Sequence, residues 1–305
     1  MLACPRCLQA LSVPGDGRLT CACGATWPVV EGIPDLYVAD PQAGEDPDLT
    51  ATVRSFYEEH PFPHYLPDDN RGSLVRNGRS KPFTRSLDDE LPPNARVVEL
   101  GCGTGQMSLF LGVAGRDVVG LDLSGASLRV AEAMRERCGL DNVRFARGNL
   151  FHPPFRPGTV DVVVSNGVLH HTADAREAYA VAAGLLRPGG YLVVGLYNRW
   201  GRLLLPLLKR RHEALAGDRG DAWYHDQHLH PHETRHTVDE VLGWVHACGL
   251  EFVNAQPPIG FAPGPPSLFA PRGAGSRLEH WLVQLSWLGR AEDGGLWVTV
   301  ARRPT

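Results

Sequence analysis

Lysine is almost absent from this sequence. Only Lys81 and Lys209 occur, so 28 of the 30 basic residues are arginine. Against 34 acidic residues they leave a formal charge of −4. The strongly basic footprint of a generic nucleic-acid binder is therefore missing. No apolar run approaches ~18 residues, which argues against a transmembrane helix. The start, Met1-Leu2-Ala3-Cys4-Pro5, shows no basic stretch leading into an apolar run. It does not read as a secretion signal, and a cytoplasmic location is expected. Internal repeats and low-complexity tracts are lacking too. What is present is globular: 305 residues, 43% hydrophobic and 21% charged, enough for one large domain and a small one. Nothing in the sequence fixes an oligomeric state.

Four of the seven cysteines, Cys4, Cys7, Cys21 and Cys23, fall within the first 23 residues. An odd total and a close-set quartet do not read as a disulfide scaffold. Two pairs on two turns fit one tetrahedral thiolate site, and so short a segment has little core of its own without a metal. A zinc held by four cysteines has no open position, so its role is structural. The second pair, Cys21-Ala22-Cys23, is one residue shorter than usual, and a metal-free ribbon or plain core cysteines are the alternatives. With Trp27-Pro28-Val29-Val30-Glu31-Gly32-Ile33-Pro34, the segment resembles a zinc-ribbon module that occurs alone as a methyltransferase activator and fused to the N-termini of methyltransferases. The expected organisation is a zinc ribbon at 1–38, a linker and lid segment at 39–95, and a main domain at 96–305 with insertions near 199–235 and 255–295.

From residue 96 onward strand and helix patterns alternate. RVVEL at 96–100, DVVGLD at 117–122, and further strands at 142–146, 160–165, 191–197, 252–253 and 296–300 predict an α/β fold. Its core is a doubly wound, mostly parallel seven-stranded sheet. Residues 66–95 read as polar and irregular, with one helix near 80–91. Thr237 and Glu240 form a capping box that starts a helix. Leu278, Trp281, Leu282 and Leu285 share one face of a later helix, suited to core, pocket or partner contact.

The first strand feeds Glu99-Leu100-Gly101-Cys102-Gly103-Thr104-Gly105. Gln106 stands where a dinucleotide fingerprint wants its last glycine. Asp122 ends the second strand, where nucleotide-binding α/β folds place an acid on the ribose hydroxyls; capping the next helix is the plainer alternative. With Asp161–His171 and Leu186-Arg187-Pro188-Gly189-Gly190, these motifs resemble class I S-adenosylmethionine-dependent methyltransferases of the ubiquinone/menaquinone-methyltransferase-like branch, with a Rossmann-like fold. The resemblance implies S-adenosylmethionine as cofactor and a donor site of Glu99, Gly101, Gly103, Gly105, Asp122, Leu123, Asn149, Leu150 and Asn166. Leu123 would lie on the adenine, and Asn149 stands where the family usually has Asp.

Methyl transfer needs an oriented acceptor, and a base only if that acceptor is protonated. The acceptor should sit beyond the carboxyl edge of the sheet, between 166–171 and a second wall at 223–233. Within that frame His171, Tyr224 and His230 are the candidate acid–base residues; packing or capping is the alternative for His170 and His171. The histidine-rich 225–236 stretch also fits a polar loop or, less well, a metal site. Phe56–Tyr65 suits a lid or plain packing, and the run Arg199, Arg202, Lys209, Arg210, Arg211 a solvated helix face. The leading reading is a methyltransferase with a small-molecule acceptor. An RNA methyltransferase of the ribosomal-guanine type, and a non-catalytic cofactor-binding or partner-activating protein, are the alternatives.

Overall fold

The computed structural model describes residues 1–13, 17–39, 46–204, 229–264, 267–289 and 295–305. The N-terminal segment forms an antiparallel meander of β1 (Leu11–Ser12), β2 (Arg18–Cys21), β3 (Thr26–Val30) and β4 (Ile33–Pro34). Leu19 faces Trp27 across it, and both are buried.

Three helices follow where the sequence predicts a linker and mostly irregular chain. Helix α1 (Pro47–Glu59) starts early because Asp46 accepts the Asp48 and Leu49 amides and Pro47 supplies a preset φ. Helix α2 (Arg71–Ser80) is held by a capping box between Asn70 and Ser73. Helix α3 (Pro82–Glu90) buries Leu87 and is fixed by Arg116, itself buried, which pairs with Asp88 at 2.7 Å. Helix α3 is the helix expected near 80–91, whereas α2 has no clear apolar stripe and lies where irregular chain was expected.

The main sheet contains β5 (Arg96–Leu100), β6 (Asp117–Asp122), β7 (Val143–Arg147), β8 (Val160–Asn166), β9 (Leu186–Tyr197), β10 (Glu251–Gln256) and β11 (Leu296–Arg302). Helices α4 (Gln106–Val113), α5 (Gly125–Cys138), α6 (Ala175–Gly184), α7 (Val238–Ala247) and α8 (Arg277–Ser286) lie between strands. The order is β10-β11-β9-β8-β5-β6-β7, with β5 to β9 mutually parallel and β11 antiparallel to both neighbours. This is the doubly wound, mostly parallel sheet expected from the alternation. Its strands are apolar on both faces because helices cover both. Winding reverses between β5 and β8, and ligands of such sheets bind outside the carboxyl ends at that switch.

The meander covers the free edge at β7. Asp35 bridges to Arg147 in parallel pairing, and Leu2 bridges to Phe155. The Asp35 pairing meets β7 at Arg147, its last residue. The capping box at Thr237 forms as expected. Helix α8 does not bury its leucine face: Leu278, Trp281 and Leu282 are exposed. It packs through His280, bonded to Asp239 at 2.9 Å, and Gln284, whose Oε1 accepts from Asn198 and Val238.

Candidate active site

A cavity of about 740 Å³ opens at the switch point, within the ~300–1,000 Å³ range of ligand sites. Its walls include Glu99, Gly101, Gly103, Asp122, Leu123, Asn149, Leu150, Asn166 and His171. The structure thus brings most of the sequence-derived site residues to one space. Gly105 stands behind it, where an added Cβ would strike Phe145.

The glycine turn is shaped by its protein neighbours. Gly103 has φ +52°, and a Cβ there would lie 2.2 Å from the Phe62 carbonyl oxygen. The Phe62 carbonyl accepts the Thr104 amide at 3.2 Å, the Pro63 carbonyl accepts the Thr104 hydroxyl, and Tyr65 donates to the Thr104 carbonyl. The segment around residues 57–65 is therefore strapped over the turn. Glu58 secures it further by accepting the Gly125 and Ala126 amides at the start of α5.

Asp122 accepts amides from Gly103 at 2.7 Å and Ser124 at 2.8 Å, one on each oxygen. Each oxygen keeps a lone pair for a further donor. Burial raises its pKa despite those bonds. Glu99, bonded by the Ser108 hydroxyl, is pushed up to about 8 by burial. A cationic ligand group beside it would restore its ionised form. Asn149 is already engaged: its Nδ2 donates to the Val38 carbonyl and its Oδ1 accepts the Phe151 amide. The Oδ1 of Asn166 is buried with no hydrogen-bond partner among the described residues. The open lone pairs of Asp122 and the neighbouring Glu99 carboxyl give this wall the polar character a nucleoside cofactor needs.

The opposite wall comes largely from the segment expected as a linker and lid, and from the region near the second expected insertion. Thr50, Val53, Arg54 and Tyr57 line the cavity from α1 at helical spacing. Phe83, Met107, Phe110, Pro257, Leu296 and Val298 complete a mostly apolar chamber. The aromatic Phe56–Tyr65 stretch signalled a lid, but the polar setting of residues 47–54 gave no sign that they share in it.

His171 Nδ1 lies 2.8 Å from the His232 carbonyl, so Nδ1 carries the proton and Nε2 the lone pair. That Nε2 has no partner among the described residues. Burial lowers the His171 pKa to about 3 and that of His170 well below its ordinary value. His230 stacks on His171 with centroids 3.6 Å apart and also meets Phe56 and Tyr57. It backs His171 and is not on the cavity wall. Tyr224, like all of 205–228, lies outside the described residues. Arg202 is not a solvated cation: it is buried, pairs with Glu233 and covers the Tyr197 ring at 3.7 Å.

At the other end of the chain, the sulfurs of Cys4, Cys7, Cys21 and Cys23 all lie within 4.8 Å of one another, with separations of 3.8 Å (Cys4–Cys23) and 3.3 Å (Cys7–Cys21). Four sulfurs ~2.3 Å from one zinc sit about 3.8 Å apart. The quartet therefore has the dimensions of a closed tetrathiolate site.

Sheet order, switch-point cavity and buried Asp122 together define a Rossmann-like methyltransferase fold. Residues 98–194 match the family model described as a methyltransferase domain, so the chain carries such a domain. It is 30% identical over 163 residues to a ubiquinone biosynthesis O-methyltransferase of Cupriavidus pinatubonensis, covering 53% of this chain and 62% of that one. It is 35% identical over 107 residues to a demethylmenaquinone methyltransferase of Lactiplantibacillus plantarum, covering 34% and 45%. The chain thus spans less than two thirds of these relatives. Among solved structures, the magnesium protoporphyrin IX methyltransferase of Synechocystis PCC 6803 superposes with a TM-score of 0.51 at 18% identity, covering 83% of this chain and 99% of that one. A chain of the complex between the Haloferax volcanii Trm112 methyltransferase activator and a methyltransferase gives 0.50 at 18%, covering 85% and 98%.

Proposed function

We propose that the protein transfers a methyl group from S-adenosylmethionine to a small-molecule acceptor. The observation that carries this reading is one continuous cavity joining the Glu99–Asp122 wall to the apolar chamber under α1. The donor supplies a methyl on a cationic sulfonium. Asp122 would hold its ribose hydroxyls, Leu123 and Leu150 its adenine, and Glu99 and Asn166 its polar remainder. The chamber is lined mostly by aromatic and aliphatic side chains and offers two cations, Arg54 and Lys81. Neither forms an ion pair with a described carboxylate, which suits an apolar acceptor bearing an anionic group. His171, backed by His230, would accept the acceptor's hydroxyl or amine hydrogen through Nε2. Its low pKa makes it an orienting group and weak base, so little of the barrier rests on prior deprotonation. Residues 1–38 would form a ribbon around structural zinc, and 96–305 the transferase proper.

The test is calorimetry with S-adenosylmethionine and S-adenosylhomocysteine, followed by transfer of labelled methyl to a small-molecule extract and to total RNA. Binding with label in the small-molecule fraction is expected. Label in RNA alone, or binding without turnover on either, would overturn the acceptor assignment.

A further inference from the structure

The ribbon touches the main domain at the loop that walls the nucleoside end of the cavity. Arg147, at the end of β7, reaches in two directions. Its Nη1 donates to Asp35 Oδ2 at 2.7 Å, and its Nε donates to the Leu123 carbonyl at 3.1 Å. Tyr37 lies beneath the guanidinium with its centroid 5.2 Å away. The Arg147 carbonyl in turn accepts the Leu36 amide at 2.8 Å. Two residues on, the Asn149 side chain is tied to the Val38 carbonyl at 3.0 Å. Leu123 and residues 148–151 all line the cavity. Residues 35–38 thus grip both sides of the space assigned to the nucleoside.

Further along the loop, the first cysteine turn takes part. The Ala3 amide donates to the Pro154 carbonyl at 2.8 Å, and the Pro5 carbonyl meets His152 Nε2 at 2.6 Å. The Leu8 carbonyl accepts from Arg156 at 2.9 Å.

We propose that Arg147 is a positioning residue for the donor: with Asp35 it holds the Leu123 carbonyl, and the ribbon thereby becomes a working part of the nucleoside pocket. This rests on reading the cavity as a donor site. The Asp35–Arg147 pair keeps about a quarter of its side-chain surface in solvent. Pairs that exposed contribute only ~0–1 kcal/mol to folding. Their geometric effect is separable: one guanidinium spans a carboxylate and a carbonyl that belong to different units. A lysine, with a single ammonium on a flexible stem, cannot hold that fork.

The experiment measures dissociation constants of S-adenosylhomocysteine and of adenosine on the full chain, with thermal melting alongside. Variants are R147Q, R147K and D35N. Each is expected to weaken both ligands by about the same factor, roughly tenfold for the arginine variants, with melting little changed. Equal loss for adenosine locates the effect at the nucleoside, and failure of R147K to rescue separates bridging from mere charge. If R147Q does not fold, R147K and D35N carry the test. If the wild-type chain binds S-adenosylhomocysteine and all soluble variants bind it equally well, the donor reading stands and the role of Arg147 is overturned. If the wild-type chain does not bind it, both fail.

Discussion

The two halves of the cavity are built on different principles. The half proposed for the donor is made by one βαβ unit: Glu99, the glycine turn, Asp122 and Leu123 fall within 25 residues, and backbone amides fix the Asp122 carboxylate. The acceptor half is made of side chains from α1, the Leu169–His171 turn, Pro257 and β11, elements separated by most of the chain. A site held by local backbone geometry tolerates few residue types and fixes their spacing. A site assembled by packing accepts many side chains as long as the volume is filled. One wall therefore reads as a donor pocket, and the other reads only as apolar.

The largest expected effect tests the support beneath the donor half. The purified chain should carry about one zinc, and C4S or C23S should lose it, because a site with one thiolate missing no longer closes the tetrahedron. Elemental analysis of freshly prepared protein decides this; metal-free wild type ends the zinc assignment. The same variants should bind S-adenosylhomocysteine more weakly, since residues 3–8 anchor loop 152–156.

Within the donor half, D122A should weaken S-adenosylhomocysteine by roughly 1.5–3 kcal/mol, the worth of hydrogen bonds to a charged group. D122N, which keeps an acceptor for one amide, separates ligand binding from the turn's own stability. Undiminished affinity in D122A, measured by calorimetry, removes it from the ribose site.

Substitution in the acceptor half should move turnover and spare donor affinity. H171A is expected to lower methyl transfer by about tenfold, below the ~100-fold or more of a well-matched general base. Its S-adenosylhomocysteine constant should stay within about twofold. A parallel fall in donor binding would show that the two halves are not separable at His171.

The same contrast explains what the sequence made legible. All seven strands of the main sheet and the Thr237 capping box follow from apolar runs and cap chemistry, both local signals. Asp122 ends a strand and His171 lies in the loop after one, so strand positions alone brought both to the cavity wall, while Leu123 came from the resemblance. Helix α2, RGSLVRNGRS, has two glycines and one buried leucine, so its place depends on Phe110 fitting against Gly78 and on its caps. For helix α8 the leucine stripe left core, pocket and partner contact open; it faces outward, while His280 and Gln284 carry the inward bonds. Arg147 was visible only as a charged residue at a strand end. Nothing local tells that its partner is Asp35, 112 positions away.

The smallest expected effect is a near-cancellation in the pH dependence of stability, with one term from each half. Glu99 in the donor half has its native pKa raised to about 8 from 4.5. The stability it confers is complete below 4.5 and is lost as pH rises through 8. Asp122, also raised, adds the same sign. His171 in the acceptor half has its native pKa lowered from 6.5 to about 3. Its contribution is complete above 6.5 and is lost as pH falls toward 3, and His170 adds the same sign. Each fully unmatched proton changes stability by about 1.4 kcal/mol per pH unit. Between pH 7 and 6 the histidines are only partly protonated in the unfolded chain, so their combined loss on acidification roughly offsets the Glu99 gain. Melting temperature should therefore be nearly flat across that unit and fall toward about pH 4, where Glu99 and Asp122 are protonated in both states and only the two histidines remain unmatched. E99Q removes the opposing slope and should make the fall begin near pH 6.5. A wild-type curve that declines steeply from pH 7, or an E99Q curve superimposable on it, would mean that Glu99 is not held protonated by the donor wall.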